Sequence, residues 1–153
     1  MNLRIVKKPN RILKKKLEVI DEVFPLVLQP KVKVLILDML QTMKENNGIG
    51  LAANQVGFDL QLFVISEELA KEYGVPSVYI NPEVKPYSKG EEELEEGCLS
   101  IPETWLMIKR YKKVKVKTID ENGKKYKFIA KGILARVLQH EYDHLQGVLI
   151  TDK

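Results

Sequence analysis

The sequence contains few of the side chains that form disulfides or bind metals, with one cysteine and two histidines among 153 residues. A single cysteine cannot form an internal disulfide, which excludes a disulfide-rich secreted scaffold. Apolar runs stay well below the roughly 18 residues that a membrane span needs, and no signal-peptide pattern follows Met1. We therefore expect a reducing cytoplasm as the compartment and no membrane partner.

The composition and charge are those of an ordinary globular domain. Hydrophobic residues make up 44% of the chain and charged residues 30%, which argues against a disordered or fibrous protein. Lys and Arg number 25 against 21 Asp and Glu, and this small excess favours a solvated surface over a DNA-binding one. At this length we expect one domain over residues 1–153.

Two segments have the apolar periodicity of amphipathic helices. The first begins at Pro30 and ends where Asn46, Asn47 and Gly48 interrupt the apolar spacing. The second covers residues 131–146, and Gly147 is placed to cap its C-terminus.

Four segments between these helices are predicted to be strands. They are residues 60–65, residues 75–80 closed by Asn81 and Pro82, and residues 113–117 and 125–129 joined by a hairpin turn. Strands and helices do not alternate as they do in a doubly wound parallel sheet. The order of elements therefore predicts an α+β fold.

Both histidines of the chain lie in the last predicted helix, as His140 and His144. Residues four apart lie on one helix face, so the two imidazoles can bind one metal ion while Glu141 reaches a water molecule on it. Two unrelated helix histidines with a surface glutamate between them would also fit the pattern.

A catalytic site of this kind needs a third protein ligand and an open position for water. The nine residues after His144 contain no His, Cys or Glu, so the third ligand should lie upstream. The scarce candidate there is Cys98, and a thiolate with two imidazoles makes a three-ligand set. A lone cysteine is more commonly a small buried hydrophobe.

Residues 48–53 (GIGLAA) match the glycine pattern of dinucleotide-binding proteins. That pattern works only where a strand precedes the glycines and a helix follows them. Here a helix precedes, and Gly57 comes too soon afterwards for a packed helix, which disfavours a nucleotide site.

Three sequence blocks stand in order along the chain: residues 48–55 (GIGLAANQ), residues 96–100 (EGCLS) and residues 139–145 (QHEYDHL). Together they resemble the signature motifs of the peptide deformylases, metal hydrolases that remove the formyl group from N-formylmethionine of nascent chains. The resemblance extends from about Ile5 to Thr151. It implies antiparallel or mixed β-sheets packed around a central metal-binding helix.

The resemblance also implies roles for individual residues. The metal ligands would be Cys98, His140 and His144, holding one divalent ion that is typically ferrous iron and replaceable by nickel, cobalt or zinc. Glu141 would take the proton of the metal-bound water and pass it to the departing amine. The side-chain amide of Gln55 and the backbone N–H of Leu99 would stabilise the oxyanion.

The same resemblance implies how a formylmethionyl nascent peptide would bind. Its backbone would pair with Ile49 and Gly50 like an added strand, and its methionine side chain would enter a pocket formed by Ile133, Val137 and the flank of His140. The resemblance also implies an ion pair in this binding region, between Glu96 and Arg110, that braces the cysteine loop. The expected protein is a monomer that makes at most transient contact with the ribosome.

Two features depart from the family pattern. Asn54 stands where Pro or Thr is common, which changes the stiffness of the loop but removes no catalytic group. Many members continue into another C-terminal helix, whereas this sequence ends at Lys153. The expected chemistry is complete without that helix.

Two other functions compete with this interpretation. One is a zinc endoprotease of the His-Glu-x-x-His class, which the missing downstream ligand and the Cys98 block disfavour. The other is a metal-stabilised RNA-binding module, favoured only by Lys112, Lys113, Lys115 and Lys117. Without aromatic residues among them for stacking, these lysines are more typical of the wet face of a sheet.

Overall fold

Two β-sheets and three α-helices form the part of the chain that the computed structural model describes, residues 2–20 and 30–153. The helices are α1 (Pro30–Glu45), α2 (Glu67–Tyr73) and α3 (Gly132–Leu145). The strands are β1 (Gly50–Ala52), β2 (Leu62–Ile65), β3 (Val78–Pro86), β4 (Glu91–Cys98), β5 (Ile101–Tyr111), β6 (Lys113–Ile119) and β7 (Lys125–Lys131). Short 3₁₀ helices cover Arg11–Lys14, Ala53–Val56 and Ile150–Asp152.

Every strand pair in the described ranges is antiparallel. Five strands form one sheet in the order β1-β2-β3-β6-β7, and β4 pairs with β5 in a separate two-stranded hairpin. The predicted α+β class is therefore confirmed. None of the described helices is long and apolar enough to cross a membrane.

The helix α3 lies at the centre of the molecule and contacts strands of both sheets. Five of its apolar residues are packed into the core because their spacing places them on one face: Leu134, Ala135, Val137, Leu138 and Leu145. The helix ends at Leu145, and Gly147 follows it as the predicted cap, with a φ of +77° and its N–H donated to the carbonyl of His144.

The β6–β7 hairpin follows the period-two pattern of its sequence. Val114 and Val116 are buried, whereas Lys113, Lys115 and Lys117 between them are exposed. These lysines lie on the solvent face of an antiparallel sheet, as the sequence pattern indicates.

The prediction that the strand after residue 75 closes at Asn81 and Pro82 is wrong. The strand continues to Pro86 through an irregularity, at which Asn81 has a φ of +48° and the register with β6 shifts between Ile80 and Glu83. Proline is tolerated at such a bulge because the ladder makes no hydrogen bond there. The side chain of Asn81 makes two hydrogen bonds to the backbone of Ile20. Its Oδ1 accepts the N–H of Ile20, and its Nδ2 donates to the carbonyl of Ile20.

A matched pair of glycine substitutions tests the packing at the end of α3. A Cβ on Gly147 would lie 2.5 Å from the carbonyl oxygen of Lys14, whereas one on Gly123, at a similar φ of +80°, would contact nothing within 4 Å. We expect Gly123→Ala to cost roughly 1–2 kcal/mol from its left-handed backbone. Gly147→Ala should cost clearly more, as measured by urea denaturation. Equal losses for the two variants would contradict the close packing.

Candidate metal centre and cleft

The three predicted metal-binding side chains meet at one point. His140 and His144 lie one turn apart on α3, and their Nε2 atoms are 3.2 Å apart. Cys98 ends β4 and brings its Sγ to 3.3 Å from His144 Nε2. One donor atom from each residue lies within 4.8 Å of the other two, so a single ion can contact all three.

The chemistry of this donor set fits a divalent ion. His140 Nδ1 is bonded to a carboxylate oxygen of Glu96 at 2.9 Å, which leaves Nε2 free to face the other donors. One sulfur and two imidazole nitrogens make the three-ligand set of a site that keeps an open position. The same set accepts several first-row divalent metals.

The two imidazoles have opposite electrostatic preferences. Burial alone would lower the pKa of His140, but its bonds to Cys98 and Glu96 raise it to about 10. Burial and the neighbouring charge of His140 lower the pKa of His144.

Glu96 and Arg110 form a bidentate ion pair that is buried and does not lie on the surface. Arg110 Nε and Nη2 each donate to a different oxygen of Glu96 at 2.9 Å, and both side chains are less than a tenth exposed. On its other side Arg110 donates to Asp143, between the two histidines of α3. Burial opposes ionisation of Glu96, but Arg110 and His140 hold its pKa well below the ordinary value.

The carboxyl of Glu141 is buried beside the donor atoms. Its Oε2 lies 3.9 Å from His140 Nε2, and its Oε1 has no hydrogen-bond partner among the described residues. Burial raises the pKa of Glu141 to about 7. Gly50 packs directly against this carboxyl, since a Cβ there would lie 2.5 Å from Oε2. A carboxyl that titrates near neutral pH can both accept and donate a proton.

The amide of Gln55 points toward the same place from the opposite side. Its Oε1 accepts the N–H of Ala52 at 3.0 Å, and its Nε2 donates to Ser100 Oγ at 3.1 Å with Cys98 Sγ at 3.6 Å. Because both ends of the amide are held, its N–H₂ group has a fixed direction. A 3₁₀ helix follows β1 here, so the strand, glycines and α-helix of a dinucleotide site do not occur in this order.

A cleft of about 490 Å³ opens at the donor atoms. Its walls include ten of the twelve residues that the sequence analysis singled out: Ile49, Gly50, Gln55, Glu96, Cys98, Leu99, Ile133, Val137, His140 and Glu141. Arg110 lies behind Glu96, and His144, the most buried of the three metal-binding residues, is 1% exposed and does not line the cleft. A larger cavity of about 640 Å³, beside Asn81 and Tyr142, is lined by neither histidine nor cysteine.

Three contacts around the site were missed by the sequence analysis. Arg136 donates to Glu96, Asp143 accepts from Arg110, and Asn54 Nδ2 donates to the carbonyl of His144 at 2.8 Å. The only local signal for Arg136 is its position four residues before His140, on the same helix face. Trp105, in the segment after Cys98, is 66% exposed at the cleft and lies over Gly97.

Comparison with known proteins identifies the family. A sequence model described as polypeptide deformylase matches residues 2–153. Peptide deformylase 1 of Clostridium perfringens is 46% identical over 143 residues, which cover 94% of this chain and 91% of that protein. The peptide deformylase of Thermodesulfovibrio yellowstonii is 45% identical over 151 residues, covering 99% and 88% of the two chains.

Solved structures agree with the sequence comparison. The crystal structure of the peptide deformylase from Thermotoga maritima superposes with a TM-score of 0.88 at 36% identity, covering 100% of this chain and 97% of that one. A Synechococcus elongatus peptide deformylase in complex with actinonin gives a TM-score of 0.86 at 40% identity, covering 98% and 77%. The family match includes all three sequence blocks, residues 48–55, 96–100 and 139–145. The chain therefore belongs to the polypeptide deformylase family.

Proposed function

We propose that this chain removes the formyl group from N-formylmethionyl nascent peptides, releasing formate, with Glu141 and Gln55 as its reacting side chains. The observation that carries the proposal is the convergence of one thiol, two imidazoles, a buried carboxyl and a fixed amide at the end of one cleft. The proposed catalytic unit is a single domain over residues 1–153.

The proposed metal ligands are Cys98, His140 and His144. A divalent ion held by them would lower the pKa of water and polarise the formyl carbonyl. We infer Fe(II) as the resident ion from the family, with Ni, Co or Zn able to replace it because a mixed sulfur and nitrogen set accepts each of them.

Glu141 is proposed to move the proton of the reaction. It accepts a proton from the water that attacks the formyl carbon, and it delivers that proton to the amine nitrogen as the carbon–nitrogen bond breaks. A pKa of about 7 suits both transfers, because the group is neither a permanent base nor a permanent acid near neutral pH. Its burial keeps bulk water from taking over the transfer.

Negative charge develops on the formyl oxygen during the attack. Gln55 Nε2 and the backbone N–H of Leu99 are the proposed donors to this oxygen. The support for Gln55 is the fixed direction of its amide between Ala52 and Ser100. Such preorganised donors need no rearrangement when the charge appears.

The peptide is proposed to lie along β1. This strand is at the end of the five-stranded sheet and pairs with β2, and Ile49 and Gly50 at its start line the cleft. An extended peptide can add to such an edge through backbone hydrogen bonds. The methionine side chain would contact Ile133, Val137 and the flank of His140.

The proposed setting is the cytoplasm, where nascent chains are made, with the protein acting as a monomer. A monomer suffices because the three ligands, Glu141 and Gln55 all come from one chain. A transient contact with the ribosome stays a prediction from the family resemblance.

The central prediction is formate release. Protein loaded anaerobically with Fe(II) or Ni(II) should release formate from a formyl-Met-Ala peptide, detected by coupled formate oxidation. Glu141→Gln should lower kcat by at least about 100-fold, because it removes the proton carrier, while metal content stays unchanged. Cleavage of internal peptide bonds without formate would instead identify an endoprotease.

A second prediction concerns the thiolate ligand. Cys98→Ala should lose most of its bound metal after dialysis, because two imidazoles alone form an incomplete site. Metal analysis of purified protein measures this, with Glu141→Gln as the control that keeps all three ligands. Full metal content together with full activity in Cys98→Ala would sink the three-ligand assignment.

A third prediction follows from the contact between Gly50 and Glu141. Gly50→Ala should displace the carboxyl and lower kcat by roughly tenfold or more, since a Cβ would lie within 2.8 Å of three of its atoms. Gly48→Ala is the matched control, because the nearest atom there is the movable Cδ1 of Leu99 at 3.0 Å. If both variants keep the same kcat, Glu141 does not depend on this packing.

A further inference from the structure

Two separate elements supply the metal ligands, and their separation has to be held closely. Cys98 belongs to the β4–β5 hairpin, whereas His140 and His144 belong to α3. Metal–ligand bonds tolerate deviations of about 0.2 Å. The distance between hairpin and helix must therefore be set by contacts more rigid than loose side-chain packing.

The hairpin has one small apolar cluster, in which Ile101 and Ile108 pack with Leu13, Leu149 and Ile150, all of which lie outside α3. It is a two-stranded sheet of its own, and an isolated hairpin is only marginally stable in water. Of the residues between Glu91 and Tyr111, few are buried: Glu96, Ser100, Ile101, Ile108 and Arg110. Two of these five are charged, so polar bonds must provide much of the attachment.

Arg136 makes three such bonds from one side chain. Its Nη1 donates to Glu96 Oε2 at 2.5 Å and to the carbonyl of Ile108 at 3.0 Å, and its Nη2 donates to the carbonyl of Glu92 at 2.7 Å. The guanidinium thus joins α3 to both strands of the hairpin. Its planar group of donors makes this possible, whereas a lysine ammonium acts as a compact point charge.

The bond to Glu96 connects Arg136 to the ligand set itself. Glu96 accepts from Arg136 through Oε2 while its Oε1 holds Nδ1 of His140, and Arg136 lies one helical turn before that histidine. Arg110 also holds Glu96, but it lies on the hairpin and reaches α3 through Asp143. Of these two arginines, only Arg136 lies on α3 and donates to backbone carbonyls of the hairpin.

We propose that Arg136 is a positioning residue that sets the separation between α3 and the β4–β5 hairpin, and thereby the geometry of the three metal ligands. It touches neither the ion nor the reacting atoms in this role. The inference rests on the metal-binding role of Cys98, His140 and His144 given under the proposed function.

The test is Co(II) binding without peptide, under anaerobic and reducing conditions. Co(II) bound to a thiolate absorbs in the near ultraviolet and visible range, so one titration reports both affinity and ligand geometry. Arg136→Met should raise the Kd for Co(II) by about 10–100-fold, the range for removing an outer partner of a metal ligand, and should change the spectrum. Arg136→Lys should give an intermediate Kd, and exposed Arg11→Met should match the parent protein.

Unchanged Kd and spectrum in Arg136→Met would overturn the proposal, even if the melting temperature falls, because that result describes a purely structural residue. If circular dichroism shows that Arg136→Met does not fold, Arg136→Lys decides: a Kd equal to that of the parent protein overturns the proposal, and a raised Kd supports it. Since no peptide is present, the outcome is independent of whether the chain releases formate.

Discussion

The carboxylate of Glu96 is the interaction on which the site depends. It is buried, and it accepts hydrogen bonds from Arg110, Arg136 and His140. A buried charge costs several kcal/mol unless it is paired and hydrogen-bonded, and here the pairing is nearly saturated. Because its partners come from β5 and α3, satisfying this one group also brings the hairpin against the helix. The position of Cys98 relative to the two histidines follows from that docking.

Two carboxyls near the metal ligands have opposite environments, Glu96 on β4 and Glu141 on α3. Arg110 and His140 hold the pKa of Glu96 well below its ordinary value, whereas Glu141 Oε1 has no hydrogen-bond partner among the described residues and burial raises the pKa of Glu141 to about 7. Separating two carboxyls in this way supports the proposal that Glu141 transfers the proton while Glu96 has a structural role. The two carboxyls lie on opposite nitrogens of one imidazole: Glu96 is 2.9 Å from Nδ1 of His140, and Glu141 is 3.9 Å from its Nε2.

Sequence reasoning succeeded where the relevant geometry is local. The spacing of His140 and His144 within a periodic helix is enough to place both imidazoles on one face, and the structure agrees. The contacts of Arg136 span 28 to 44 residues and leave no periodic trace, so they could not be read from the chain. The β4 strand was missed for a related reason, because residues 91–95 are all exposed and show no apolar alternation.

The burial of Glu141 shows how the fold sustains an unfavourable group. Burying a carboxyl costs stability, and α3 offsets this cost because apolar residues on the same helix fill the core. Gly50 completes the arrangement by letting β1 approach the carboxyl without a side chain in between. A larger residue there would open the contact, admit water and return the pKa of Glu141 toward its ordinary acidic value. The small residue at the start of β1 is thus a requirement of the carboxyl that is proposed to carry the proton, Glu141 on α3.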